Sequence, residues 1–207
     1  SPAGTVVPRG MPDEKLGTIG VPLPGLDMKI VDVDDCEREL PPGQSGEMVI
    51  RGPNVTRGYW NRAEEENAAC FNSEGYFLTG DIGFMDEDGW FYIVDRKKDL
   101  ILSGGFNVYP LTIENAIHQH PDVLEAMVIG VPDAYRGESA KAFVMLNPGA
   151  PEFTLDALQD FLEDKLGRHE IPRHLEFRDE LPRTAVGKAS RRMLKEQELA
   201  KAAAETA

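Results

Sequence analysis

The spacing of apolar and polar residues changes near residue 94, and the two sides predict different kinds of structure. Before that point, short apolar runs alternate with clusters of Gly, Pro, Asn and Asp, which is typical of short strands joined by turns. The pattern predicts strands over residues 16–20, 26–33, 47–51, 76–78, 83–85 and 90–94. Asn61 and Glu64 form a capping-box pattern, so a short helix is expected from Asn61 to Phe71. Repeated short strands of this kind predict a small β-barrel-like subdomain.

After residue 95 helical periodicity alternates with longer apolar strands. Pro110 suits the first turn of one helix, and Thr154 can cap a second helix that ends near Gly167. A third helix is expected over residues 190–204, and strands over 123–131, 140–146 and 174–177. The whole chain is therefore predicted to be α+β, with one domain over residues 1–94 and a second, mixed sheet flanked by helices, over residues 95–207.

The boundary falls in an unusual stretch, residues 93–109, which reads IVDRKKDLILSGGFNVY. Five charged residues occupy positions 95–99, and burying such a run would carry a large desolvation cost, so it is expected at the surface. The adjacent Gly104 and Gly105 allow positive φ and a close approach of the backbone to a ligand. The same two glycines also fit an ordinary exposed hairpin turn, and the residues alone leave both readings open.

Composition excludes several classes of function. The net charge of −14 and the pI near 4.7 argue against a general binder of nucleic acid or of anionic membranes. Cys36 and Cys70 are too few for a disulfide framework, and no apolar run is long enough for a transmembrane helix. We therefore expect free thiols and a cytoplasmic protein, with peripheral association with a membrane left open. Oligomeric state is not indicated.

Two short segments carry candidate chemistry. Asp81, in Thr79-Gly80-Asp81, follows a predicted strand, and a carboxylate at a sheet edge can accept hydrogen bonds from two ribose hydroxyls. Lys188 follows Gly187 in the segment TAVGKAS, just before a helix that begins with Arg191. Basic residues in a first helical turn oppose the helix dipole, and an anionic partner would reverse that penalty. A plain turn at Asp81 and a solvated surface lysine at Lys188 remain alternatives.

Other familiar sites do not fit. A phosphate loop of the GxxxxGK[ST] type fails because Pro182 takes the place of the first glycine and Ala189 follows the lysine. His118 and His120 have no acidic or cysteine companions at metal spacing and are interpreted as residues of a helix surface. No metal site is predicted within the chain.

Taken together, four strings resemble the adenylate-forming enzymes, the superfamily of acyl-CoA synthetases, peptide-synthetase adenylation domains and luciferases. The strings are GEMVIRGPNVTRGYWN at 46–61, YFLTGD at 76–81, IVDRKKDLILSGGFNVYP at 93–110 and ELPRTAVGKASRR at 180–192. Within that superfamily the chain is most similar to the bacterial long-chain fatty acid CoA ligases, from about residue 16 onwards. The resemblance implies that ATP and a carboxylate give acyl-AMP and diphosphate, after which the CoA thiol displaces AMP.

The resemblance also implies roles for individual residues. Lys188 would bridge the carboxylate and the α-phosphate during adenylation. Thr79, Asp81, Arg96 and Lys98 would bind ATP or AMP, with Asp81 at the ribose. Asp95 would be the hinge of a mobile second domain. Gly104, Gly105 and Phe106 would line the channel for the pantetheine arm of CoA.

Some parts of the family pattern are missing from these residues. The phosphate loop, the magnesium motif and nearly all of the acyl pocket would lie upstream of Ser1, so ATP, CoA and magnesium are expected as partners of a longer enzyme. We therefore expect this chain to be a piece of that enzyme and to be inactive by itself. Two alternatives stay open: an enzyme that loads a carrier protein instead of CoA, and a non-catalytic interaction domain of the same fold.

Overall fold

The structure is a computed structural model that describes residues 4–205, with side chains described as far as Lys201. The strands are β1 (Thr5–Val6), β2 (Val21–Pro22), β3 (Asp27–Val31), β4 (Gly46–Arg51), β5 (Phe77–Met85), β6 (Phe91–Arg96), β7 (Ile101–Ser103), β8 (Phe106–Val108), β9 (Val123–Asp133), β10 (Gly137–Leu146) and β11 (His174–Phe177). The helices are α1 (Glu64–Ala68), α2 (Pro110–Ile117), α3 (Leu155–Leu162) and α4 (Arg191–Glu205).

The chain divides into two compact units, the first ending at Lys98 and the second beginning at Asp99. This division lies a few residues beyond the one predicted between residues 94 and 95. The reason is that β6 continues through the first charged residues to Arg96, and a 3-10 turn at Lys97–Asp99 follows it.

The first unit is built on a four-stranded antiparallel sheet in the order β3-β4-β5-β6. The sheet is open, because within the described residues its edge strands β3 and β6 pair with no further strand of the sheet. The barrel-like closure expected from the short strands is therefore not formed by this part of the chain. The central strand β4 is buried on both faces: Met48 packs with Ile30 and Phe91, whereas Val49 packs with Val31 and Tyr76 on the other side.

Three predictions in the first unit are corrected, and residues with positive φ account for two of them. The strand predicted over residues 16–20 is absent; only Gly20 forms an isolated bridge, with Phe91, and both Gly17 and Gly20 have positive φ, which interrupts an extended run. The strands predicted over 76–78 and 83–85 are one strand, β5, with an irregularity between them. The helix predicted from Asn61 begins only at Glu64, because Asn61 adopts a left-handed conformation with φ 60°.

The second unit contains a mixed five-stranded sheet, as the sequence predicted. The long strands β9 and β10 form an antiparallel hairpin, β11 pairs with β10 in parallel, and β7 and β8 form a smaller hairpin at the end of β10. Side chains along β9 alternate between the two faces: Val128 packs with α2 and α3, whereas Met127 and Ile129 pack with Leu194 of α4. Helices therefore flank both faces, and the α+β class is confirmed.

The helix boundaries of the second unit follow local signals. Thr154 caps α3 as predicted, because its hydroxyl oxygen accepts a hydrogen bond from the amide of Ala157 at 3.2 Å. The helix ends at Leu162, earlier than the predicted Gly167, with Leu158 and Leu162 fully buried. Among residues 4–205, no helix combines the length and the apolar character needed to cross a bilayer.

Candidate functional site

Asp81 lies in a bulge of the first sheet. The pairing of β4 and β5 shifts around Met48, so that Thr79, Gly80 and Asp81 lie opposite this one residue. Gly80 takes a φ of 73°, which a residue with a side chain adopts only with strain. The Thr79 hydroxyl donates to the carbonyl of Met48 at 2.7 Å and accepts from the amide of Asp81 at 3.1 Å. The bulge therefore fixes the backbone that carries Asp81. Bulges are common next to active sites, where they orient a side chain.

A buried glutamate supports this bulge from inside the first unit. The Glu47 side chain is 3% exposed; its Oε1 accepts from the amide of Gly80 at 3.0 Å and its Oε2 from the Lys97 ammonium at 2.8 Å. Removing either partner would leave a charge with poor solvation, which is costly. Glu47 thus ties the Asp81 loop to the residue that follows Arg96. The residue was not predicted as functional, although a glutamate inside the apolar run of β4 was a usable signal.

Asp81 and Arg96 lie side by side on adjacent strands. They are register partners of β5 and β6, and Arg96 Nε is 3.2 Å from Asp81 Oδ1. The Asp81 side chain is 30% exposed and the Arg96 side chain 59% exposed, so both can be reached from solvent. The structure therefore brings together two of the residues predicted to bind AMP, a hydroxyl acceptor beside a cation.

Asp95 and Lys98 occupy different environments. Asp95 is 2% exposed, pairs with Ile82 within the sheet, and its carboxylate accepts a hydrogen bond from the amide of Arg96 at 2.7 Å. Lys98 is exposed and is the last residue of the first unit. A pivot at Asp95 would have to break strand pairing, whereas a pivot at Lys98 would not. The hinge at Asp95 stays a prediction, and Lys98 is an alternative position that leaves the strand pairing intact.

In the second unit, Gly104 and Gly105 form the two-residue turn of the β7–β8 hairpin. Their φ values are 59° and 84°, which is typical of the turn that fits the twist of paired strands. A side chain added at Gly105 would meet nothing within 4 Å, so the backbone there borders open space. Phe106 is 55% exposed and stacks on His169 with ring centroids 4.5 Å apart. The structure is therefore compatible with both interpretations of this turn, an ordinary exposed hairpin and a loop that faces a ligand.

Lys188 is presented on a short ordered hairpin. The Thr184 amide donates to the carbonyl of Lys188 at 2.7 Å, and the Lys188 amide donates to the Thr184 hydroxyl at 3.2 Å. Arg183 and Ala189 form a bridge below this turn. The Lys188 side chain is exposed, and among the described residues its ammonium has no ion-pair partner. The backbone is therefore held while the ammonium stays available to an anion.

Comparison with known proteins places these features in a family. The profile described as "AMP-binding enzyme" matches residues 1–60, and that described as "AMP-binding enzyme C-terminal domain" matches residues 112–188. A long-chain-fatty-acid–CoA ligase of Bacillus subtilis (strain 168) is 47% identical over 184 residues, which is 89% of this chain and 32% of that protein. The chain belongs to the AMP-binding, adenylate-forming enzymes.

Other AMP-binding enzymes match nearly as well. A 2-succinylbenzoate–CoA ligase of Geobacillus kaustophilus is 44% identical over 181 residues, 87% of this chain and 36% of that protein. The crystal structure of ATP-bound MatB from Rhodopseudomonas palustris superposes with a TM-score of 0.81 at 39% identity, covering 87% of this chain and 35% of MatB. The chain spans about a third of the length of the curated relatives it matches.

Each unit carries exposed or partly exposed polar groups that could contact a nucleotide. Asp81 and Arg96 offer a hydroxyl acceptor and a cation, and Lys188 offers a second cation. Among the described residues, no group of three or more His, Cys, Asp or Glu side chains is arranged to hold a metal ion.

Proposed function

We propose that this chain is the part of an ATP-dependent acyl-CoA synthetase that grips the AMP moiety and supplies the lysine of adenylation. The observation that carries the proposal is the exposed Lys188 side chain on an ordered hairpin, in a chain 47% identical to a long-chain-fatty-acid–CoA ligase. The proposed substrate is a long-chain fatty acid, which is taken from the names of such relatives.

In the first half-reaction a carboxylate oxygen of the acid attacks the α-phosphorus of ATP, and diphosphate leaves with the electron pair of the broken P–O bond. Negative charge gathers between the carboxylate and the phosphate, where the Lys188 ammonium would stabilise the transition state more than the separated reactants. Lysine suits this task because its compact charge sits on a long stem. Asp81 would accept hydrogen bonds from the ribose hydroxyls. Thr79 and Arg96 beside it, and Lys98 at the end of the first unit, would also bind the nucleotide.

In the second half-reaction the CoA thiolate attacks the acyl carbonyl carbon and AMP leaves. The open space beside Gly105, with Gly104 and Phe106, would admit the pantetheine arm. Magnesium, which neutralises phosphate charge during such transfers, is expected to bind residues in the part of the relatives that this chain does not span. We therefore also propose that the 207-residue chain by itself does not catalyse either half-reaction.

The experiment is an exchange assay on the full-length protein that carries this chain. Acid-dependent exchange between ATP and labelled diphosphate is measured with octanoate, palmitate and 2-succinylbenzoate, followed by AMP release with CoA or with a phosphopantetheinylated carrier protein. We expect exchange to be fastest with palmitate, AMP release to need CoA, and the isolated chain to be silent. If exchange is fastest with 2-succinylbenzoate, the proposed fatty-acid substrate is wrong. If AMP release needs the carrier protein, CoA is not the acyl acceptor. Absence of exchange with every acid would favour a non-catalytic domain.

A further inference from the structure

A partly buried ion-pair network lies directly after the Lys188 hairpin. Arg191, the first residue of α4, forms a two-pronged contact with Glu114 of α2: its Nε is 3.0 Å from Glu114 Oε1 and its Nη2 is 2.5 Å from Oε2. Its Nη1 is 3.6 Å from Asp99 Oδ2. The three side chains are 18%, 9% and 15% exposed, respectively.

The glutamate in this network is itself fixed by the sheet. Glu114 Oε1 also accepts a hydrogen bond from the amide of Val128 in β9, at 2.7 Å. Planar arginine–carboxylate pairs of this kind hold a defined geometry, and their burial makes loss of one partner costly. The network therefore locks the first turn of α4 to α2 and β9, within the second unit. Glu114 and Asp99 also place negative charge beside the basic start of this helix, which offsets the unfavourable interaction of Arg191 with the helix dipole.

Only two residues separate Arg191 from Lys188. The intervening Ser190 donates its amide to the carbonyl of Pro182 at 2.9 Å, and its hydroxyl accepts from the amide of Met193 at 3.3 Å. The hairpin that carries Lys188 is thus closed on one side by Pro182 and continuous on the other with the locked helix turn. A displacement of Arg191 would therefore also displace Lys188, because the short backbone segment between them is held by these hydrogen bonds.

At its far side the network reaches the start of the second unit. Asp99 is the first residue of that unit and follows Lys98 directly. Arg191 therefore connects the segment that follows the boundary with the segment that carries Lys188, although the two are far apart in sequence. Such a connection makes the two segments turn as one body.

We propose that Glu114 and Asp99 are positioning residues for adenylation, which act through Arg191 to hold the Lys188 hairpin at a fixed place relative to the start of the second unit. This rests on the proposed function of Lys188. Misplacement of a catalytic group by about 1 Å can cost about a hundredfold in rate. Loss of the two-pronged geometry should therefore slow adenylation and leave the thioester step largely intact.

The test uses Arg191→Lys and Glu114→Gln in the full-length protein, with Arg192→Lys as the matched control. Arg191→Lys keeps the positive charge but removes the planar guanidinium that contacts both carboxylate oxygens. Glu114→Gln keeps the size of the side chain but removes its negative charge. Arg192 is the neighbouring arginine, 82% exposed, and its ion-pair partner among the described residues is Glu196 of α4. We expect both network variants to lower the rate of ATP–diphosphate exchange about ten- to a hundredfold at saturating ATP. Thioester formation from synthetic acyl-AMP should stay within about threefold of the unaltered protein, and the control should resemble the unaltered protein in both assays.

A second measurement does not depend on activity. Amide hydrogen exchange of residues 184–190 should accelerate about tenfold or more in Arg191→Lys and Glu114→Gln and not in Arg192→Lys, because the hairpin loses its anchor. Unchanged hairpin exchange in both network variants, or an equal fall of both half-reactions, would overturn the positioning role. If the unaltered protein does not adenylate any acid, the proposed function fails, and the hydrogen exchange still decides whether the network anchors the hairpin.

Discussion

Glu176 lies at the centre of a charge network between β10, β11 and α4. Its carboxylate is 2.8 Å from the Lys141 ammonium and 2.9 Å from the Arg178 guanidinium, and Lys141 and Arg178 both also reach Glu198 of α4. Burial raises the pKa of Glu176, but hydrogen bonds from Lys141 and Arg178 outweigh this effect and lower the pKa from 4.5 to about 2. The charged form is therefore favoured by the folded state.

This shift predicts a pH-dependent stability. Because the folded pKa lies below the unfolded one, the stabilisation is fully present above about pH 4.5 and is lost as pH falls towards about 2. Between about pH 6 and pH 3 the free energy of unfolding of the chain should fall by up to about 2 kcal/mol more than that of Glu176→Gln. Urea unfolding at both pH values measures this. Glu163→Gln, at an exposed glutamate after α3, is the control and should follow the unaltered chain.

At the residue scale, the sequence indicated the candidate ligand-binding residues but not the buried residues that hold them in place. Asp81 and Lys188 were chosen because their side-chain chemistry and their neighbouring glycines are local features. Glu47 and Glu114 were missed because their partners are remote: Glu47 meets the amide of Gly80, and Glu114 meets Arg191, 77 positions away. Such pairs form only through tertiary packing, which periodicity does not report.

At the element scale, the β7–β8 hairpin combines a tight turn with an open flank. Two successive glycines with positive φ close the turn, and Gly105 has no atom within 4 Å of the position a Cβ would take. Runs rich in apolar and β-branched residues predicted the long strands of the second unit, because each strand buries both faces between helices. It did not predict the bulge at Thr79–Asp81, since the pairing shift is specified by the hydrogen bonds of Glu47 and Thr79.

Gly105→Leu tests whether the open flank admits the acyl acceptor. The matched control is Gly149→Leu, because Gly149 has a φ of 83°, also meets nothing within 4 Å, and lies between β10 and α3. Both changes should cost about 1 kcal/mol of stability from the left-handed backbone. Only Gly105→Leu should slow thioester formation from acyl-AMP and CoA, by about tenfold or more, with ATP–diphosphate exchange intact. Equal effects of the two variants on thioester formation would contradict the channel assignment.

At the scale of the whole molecule, the chain divides into two units within the charged stretch. The sequence predicted a boundary between residues 94 and 95, because the apolar pattern changes there. The hinge was predicted at Asp95, where a charged residue follows the expected strand end. The sequence did not show that β6 continues to Arg96 and that Asp95 is buried. The structure instead leaves Lys98 exposed at the end of the first unit.

The two hinge positions can be separated with proline. Asp95→Pro should lower the free energy of unfolding by about 3 kcal/mol, because proline removes an amide from a paired strand. Lys98→Pro should leave stability nearly unchanged and fix φ at the boundary, so that one half-reaction slows about tenfold or more and the other does not. Thermal unfolding and the two half-reaction assays in the full-length protein measure both effects. A stable Asp95→Pro variant that separates the half-reactions would support Asp95 as the hinge.

The proposed function depends most directly on a role of Lys188 in adenylation. Lys188→Ala in the full-length protein should slow ATP–diphosphate exchange by at least about 10², the usual loss for one preorganised charge in a transition state. Val186→Ala, which changes an 80% exposed residue of the same hairpin and keeps the ammonium, is the control and should exchange normally. Given synthetic acyl-AMP and CoA, Lys188→Ala should form thioester at nearly the normal rate. A Lys188→Ala protein that exchanges normally, or that fails equally with preformed acyl-AMP, would contradict the account.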